Sequence, residues 1–283
     1  MTVDPIFVRT TADYASYGCF WRLVELSGFK TVPCHLADPE SRALYVISPF
    51  TAEHLGVFGP RRISRKCILA WLNLERPDSG HWPPEGLNAS NDEGAGMGCA
   101  DVMWTYDRTL ARARPWAIFT AFGSDQRLHD GIQARKEYDF AHISYSVGRR
   151  EEVYAELRKR GLREAPNEPG PHRPYVLART RLILQVHQTP LMVGSPQRAA
   201  VAAAHGLPFI TETISDPWPL VAGEDHLQSP REALPGLVEQ TLLDSRKMAA
   251  LGDRLRSRLC EEHSFGQCMR QASADTLARM GLP

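Results

Sequence analysis

The chain has 283 residues, 43% of them hydrophobic and 23% charged, with 33 basic against 33 acidic side chains and a formal net charge of zero. The composition is globular and the length suffices for one large domain or two of ordinary size, which excludes a disordered, fibrous or disulfide-stapled chain. Charge balance argues against bulk electrostatic work on DNA or membranes, and no apolar window nears the ~18 residues of a membrane-spanning helix.

The first residues, MTVDPIFVRTTADY, carry an early acid and no basic segment before an apolar run, so no secretory leader and a cytoplasmic location are expected. Short, unalternating apolar runs then recur. They are PIFV (5–8), ALYVI (43–47), CILAWL (67–72), DVMW (101–104), WAIF (116–119), FAHIS (140–144), LILQV (182–186) and PFIT (208–211). Runs of this length, apolar on both faces, suit strands of a parallel sheet covered on both sides. A helix is expected from Cys19 to Leu26. The stretch 76–98 (RPDSGHWPPEGLNASNDEGAGMG) reads as a functional lid or a disordered loop. The polar stretch 123–137 (GSDQRLHDGIQARKE) marks a break, and divides the chain into an N-terminal domain, 1–130, and a C-terminal domain, 131–283. Beyond it, 149–162 reads as a helix stopped by Gly161, and 195–206 as an alanine-rich helix stopped by Gly206. From Ala233 onward the tail is helical, long enough to wrap back across the first domain. Strands alternating with helices imply an α/β fold of doubly wound domains.

Cysteines stand at 19, 34, 67, 99, 260 and 268, with no C-x-x-C pair and no histidines at zinc spacing. They read as buried free thiols in a reducing compartment, with no metal site. In a doubly wound sheet, ligands gather beyond the carboxyl ends of the strands. Three such ends in the C-terminal domain carry suggestive residues: Ser146 and Arg149 after 140–144, His187 after 182–186, and Glu212 after 208–211. Gly194-Ser195-Pro196-Gln197-Arg198 predicts a helix start, with serine as N-cap, proline at the first position and arginine in the first turn. Bare amides, a positive dipole end and a guanidinium suit a diphosphate. The alternatives are an ordinary capped helix and, for His187, a satisfied core histidine. Glu212 has two oxygens for the vicinal hydroxyls of a sugar.

In the N-terminal domain the loop after the first strand runs through Asp13 to Gly18. Asp13 is a candidate general base, and Glu75 and Asp107 stand at the ends of two other strands. For each, a helix cap or a surface ion pair is the competing reading. Arg61, Arg62, Arg65 and Lys66 put four cations into six residues, either as a solvated turn or as contacts to a phosphate backbone. Arginine outnumbers lysine throughout, which fits GC-rich codon usage or repeated phosphate contact.

The run Arg181-LILQVHQTPLMVGSPQ-Arg198-AAVAAAHGLPFITE-Thr213 and the tail motif Glu262-His263-Ser264-Phe265 resemble the donor-binding half of a GT-B glycosyltransferase, of the group-1, spore-maturation-like type. The similarity covers Phe140 to about Arg270, with weaker echoes at 73–77 and 100–104. Many GT-B enzymes carry a ribose-holding glutamate in the alanine-rich helix, where this chain has Ala200, Val201 and Ala202.

The resemblance implies two Rossmann-like doubly wound domains facing across a cleft, an acceptor-binding one and a nucleotide-sugar-binding one. It implies a hexosyltransferase using a nucleoside-diphosphate sugar, UDP-sugar foremost, with no metal and no tightly bound cofactor. Gly18, Ser146, Arg149, His187, Ser195, Arg198 and Glu212 would hold the donor, and Asp13, Glu75 or Asp107 would be catalytic. Arg61, Arg62, Arg65 and Lys66 would meet the acceptor. Phage-type DNA-base glycosyltransferases share this architecture, so the favoured acceptor is a hydroxymethylated pyrimidine such as 5-hydroxymethylcytosine in double-stranded DNA. Small-molecule, polysaccharide and protein acceptors are the alternatives, as is a non-catalytic nucleotide-binding module. A monomer or weak dimer without membrane contact is expected. A Rossmann dehydrogenase is disfavoured, since no G-x-G-x-x-G follows a strand.

Overall fold

A computed structural model describes residues 4–10, 18–48, 52–59, 66–74, 100–129, 131–189 and 194–282. The chain forms two compact units, Met1–Tyr14 with Val24–Ala121 and Gly266–Pro283, and Ala15–Leu23 with Phe122–Phe265. Asp13, Glu75, Arg61, Arg62 and Arg65 lie outside the described residues, as does the whole 76–98 stretch.

In the first unit six parallel strands form one sheet. Its order is β2 (Thr31–Pro33), β1 (Ile6–Arg9), β3 (Leu44–Ile47), β4 (Ile68–Asn73), β5 (Val102–Thr105) and β6 (Ala117–Phe119). Every residue of β3, β4 and β5 is buried, which explains why these strands read as continuous apolar runs. Val8, Ile47, Leu69 and Met103 are fully buried in the core. Helices α2 (Ala52–Phe58) and α3 (Arg108–Ala113) belong to this unit, while α1 (Gly18–Leu26), between β1 and β2 in the chain, belongs to the second unit up to Leu23 and to the first from Val24.

The second unit has four parallel strands, in the order β10 (Leu227–Ser229), β9 (Phe209–Glu212), β8 (Thr180–Gln185) and β7 (Tyr138–Ala141). Its helices are α4 (Arg149–Lys159), α5 (Arg173–Ala178), α6 (Pro196–His205), α7 (Leu234–Leu243) and α8 (Ser245–Arg256). The six residues Ala199–Ala204 of α6 are all buried. Gly206 ends that helix in the left-handed region, at φ 61°, with its N–H on the Ala202 and Ala203 carbonyls. A Cβ at Gly252 of α8 would stand 2.3 Å from the Gly206 carbonyl oxygen, so the two helices approach backbone to backbone.

No single cut of the chain separates the units. Helix α9 (Phe265–Arg279) begins at the end of the second unit, and from Gly266 onward belongs to the first. Trp104 of β5 donates its indole N–H to Thr276 Oγ1 at 2.8 Å in the buried interior. Arg279 donates to the Pro115 and Ala117 carbonyls, and Arg270 pairs with Asp4 at 3.0 Å while lying over the Phe29 ring. The tail thus completes the first unit.

Candidate functional site

At the carboxyl end of the four-stranded sheet the loops after β7, β8 and β9 and the start of α6 converge. Strand β7 ends at Ala141, three residues before the apolar run does, and His142, the next residue, is buried. Its Nδ1 lies 2.9 Å from the Ser144 carbonyl and its Nε2 2.8 Å from Glu164 Oε1, and the ring stacks on Tyr154 at 4.2 Å. Arg158 then bridges Glu164 to Glu151, which accepts from Ser146 Oγ. Burial pushes the Glu164 carboxyl up, but hydrogen bonds from His142 and Arg158 outweigh it and hold it below the usual carboxylate range. Burial pushes the Tyr154 phenol up, so it stays neutral.

The loop's carbonyls are fastened one after another. Arg198 Nε donates to Ile143 O at 2.8 Å, Asn167 Nδ2 to Ser144 O at 2.7 Å, and Arg150 Nη1 to Tyr145 O at 3.5 Å. Arg150, only 6% exposed, also donates to Val186 O at 2.9 Å, tying the loop to the end of β8. Yet the same loop leaves Tyr145 79% exposed. Gly148, at φ 54°, turns the chain into α4 and so delivers Arg149 to the helix start.

Arg149 meets Glu212 as a bidentate pair. Nη1 donates to Oε2 at 2.8 Å and Nη2 to Oε1 at 2.5 Å, and Nη1 also donates to the His187 carbonyl at 2.9 Å. Glu212 further accepts the His187 N–H at 3.0 Å. Both carboxylate oxygens are therefore engaged within the unit, by the Arg149 guanidinium and the His187 amide. His187 serves this arrangement through its main chain. Its ring is buried, with Nδ1 3.4 Å from Gln185 Nε2 and Nε2 3.1 Å from the Thr213 carbonyl. Both ring nitrogens thus have partners within the unit, the alternative set out for this residue from sequence.

Ser195 occupies the N-cap position of α6 with Pro196 next, as expected, but its side chain makes no capping bond. Its N–H donates instead to Gln185 Oε1 at 3.3 Å. A glutamine inside the apolar run LILQV was the sequence signal for this strand-end contact, and Arg150, His142 and Glu164 were not singled out at all. Elsewhere, Gly18 opens α1 and a Cβ there would touch nothing. Asp107 is the N-cap of α3, its Oδ1 accepting from Leu110 N at 3.0 Å, so this carboxylate has a structural duty and not the free state expected of a base. Lys66 is exposed and pairs with Glu40 at 3.1 Å. Among the described residues no group of three or more His, Cys, Asp or Glu could hold a metal ion, and no helix is long and apolar enough to cross a membrane.

No protein-family profile and no curated protein matches the chain. Solved structures do. HepE of Anabaena, in complex with UDP and glucose, is similar at a TM-score of 0.63 and 11% identity, over 97% of this chain and 99% of that one. AviGT4, a glycosyltransferase involved in avilamycin A biosynthesis, gives 0.58 and 12% over 98% of both chains. A glycosyltransferase from Rickettsia africae gives 0.54 and 6% over 99% of both. With two parallel-sheet α/β units and likeness along nearly its whole length to these structures, the chain has the GT-B fold.

Proposed function

We propose that the protein is a glycosyltransferase that moves a hexose from a UDP-sugar to an acceptor hydroxyl. The observation that carries this reading is that Arg149, Arg198 and the α6 start all stand at one sheet's carboxyl end, a set of guanidinium and amide donors that suits a diphosphate. Support comes from the fold neighbour HepE, which holds UDP with glucose in one structure and UDP-glucose in another.

In the transfer, the acceptor oxygen bonds to the anomeric carbon while the bond from that carbon to the β-phosphate oxygen breaks. The electron pair leaves on UDP, whose growing charge the arginines and the helix start stabilise, so the chemistry requires no metal. In an inverting reaction the acceptor proton passes to a carboxylate. Asp13 and Glu75 are the candidates, since Asp107 is committed to its helix. The proposed acceptor is a hydroxymethylated pyrimidine in DNA, and its support is the cationic run Arg61, Arg62, Arg65 and Lys66.

The test is a mass-spectrometric panel. The protein is incubated with UDP- and GDP-sugars and with DNA containing 5-hydroxymethylcytosine or 5-hydroxymethyluracil, alongside small-molecule, polysaccharide and protein acceptors. Release of UDP with a hexose added to the nucleoside is expected. Hexose on another acceptor alone removes the DNA reading, and no transfer to any acceptor from any donor removes the transferase reading.

A further inference from the structure

The strand-end glutamate acts on the donor through an arginine. We infer that Glu212 is a positioning residue: it fixes the Arg149 guanidinium so that one edge of it is presented, already oriented, to an oxyanion of the donor diphosphate. This rests on the UDP-sugar reading above.

A guanidinium has two edges that recognise an oxyanion with paired hydrogen bonds. In Arg149 the edge formed by Nη1 and Nη2 is filled by Glu212, and the His187 carbonyl at 2.9 Å and the Thr189 carbonyl at 3.3 Å share Nη1. The second edge, Nε–H with the other Nη2–H, makes no hydrogen bond among the described residues, and Glu232 lies within its electrostatic reach. Glu212 is itself 8% exposed and held by the His187 N–H at 3.0 Å, so the anchor does not swing. A long, flexible side chain that must be ordered on binding weakens affinity, and here the ordering precedes the ligand. A lysine at 149, a point charge with no planar fork, cannot be oriented in this way.

Charge and orientation predict opposite signs for the loss of Glu212. If its carboxylate acted on the diphosphate only by charge, removing it would add a net positive charge to the site and tighten anion binding. If it orients Arg149, removing it weakens binding. If it touched the ribose, the loss would not depend on Arg149.

The experiment is calorimetry with UDP on the wild type, Glu212→Gln, Arg149→Lys and the double variant, with folding checked by melting temperature. Glu212→Gln is expected to weaken UDP about tenfold, the effect of one well-placed charged hydrogen bond. Arg149→Lys is expected to weaken it at least as much, and the double variant no further, which is the coupling of residues that act as a unit. Equal or tighter binding by Glu212→Gln overturns the inference, as does the same loss in both backgrounds. Either result leaves the donor reading standing. Failure of the wild type to bind UDP removes that reading, and this inference with it. Where Glu212→Gln does not fold, Glu212→Asp, one methylene shorter, takes its place with the same expected direction.

Discussion

The carboxyl edges of the two sheets are built alike and used differently. At the carboxyl edge of the six-stranded sheet Asp107, two residues past β5, is spent on a backbone amide as the cap of α3. Small, buried polar residues, Ser48, Asn73 and Thr105, stand at or just after its strand ends. In the four-stranded sheet the roles invert. Guanidinium groups are spent on backbone carbonyls, Arg198 on Ile143 and Arg150 on Val186, while Arg149 divides itself between the His187 carbonyl and the Glu212 carboxylate. The second edge therefore gathers guanidinium groups, and it is the edge that the proposed donor site uses.

The largest break would come at Arg198. Its replacement by alanine is expected to weaken UDP at least about tenfold, and up to about a hundredfold, since it removes a charged hydrogen-bond donor and frees the loop at Ile143. Calorimetry reads this directly, and unchanged affinity would mean that the diphosphate lies elsewhere.

Next in size is Gly252→Ala, which probes how α6 is held against α8. Helix propensity alone makes alanine better there by about 1 kcal/mol. The new Cβ, however, meets backbone, the Gly206 oxygen at 2.3 Å, which cannot rotate aside. Overpacking of this kind costs about 1–3 kcal/mol, so a net loss of stability in urea unfolding is expected. A more stable variant would contradict the close packing of the two helices.

A smaller effect tests the far end of α6. His205 lies with its Nδ1 2.8 Å from His129 Nδ1, and burial, His129, Lys136 and Arg256 push its pKa from 6.5 down to about 3. Between those values the unfolded chain binds a proton that the folded chain refuses, so stability falls as the pH drops below 6.5 and levels off near 3. His205→Gln is expected to flatten that part of a stability-against-pH profile. An unchanged slope would place the titration on another group.

The smallest effect is expected at Asp107. Losing an N-cap costs about 1 kcal/mol. Asp107→Ala should show that loss with transfer activity retained, whereas collapse of kcat at unchanged stability would restore this residue as the base.

The strand ends show how much could be read beforehand. Eight of the ten strands among the described residues lie within or beside the apolar runs, because burial on both faces writes a continuous signal. The two that escaped, β2 and β10, are three-residue edge strands with too little apolar content to stand out. The start of α6 was readable because proline and serine have fixed places at a helix entry. Glu212 and Arg149 were each picked out, but 63 residues separate them in the chain, and nothing local shows that they face each other.

By itself the sequence determined the alternation of strands and helices, the places where α4 and α6 begin, and which residues carry charge at the strand ends. These depend on local rules of backbone conformation and burial that act over a few residues. Only the tertiary structure decided what each charge touches. It gave Glu212 to Arg149 rather than to open solvent, turned His187 inward and set Asp107 on its own helix, because side-chain partners are chosen by distance in space and by the need to satisfy buried polar groups.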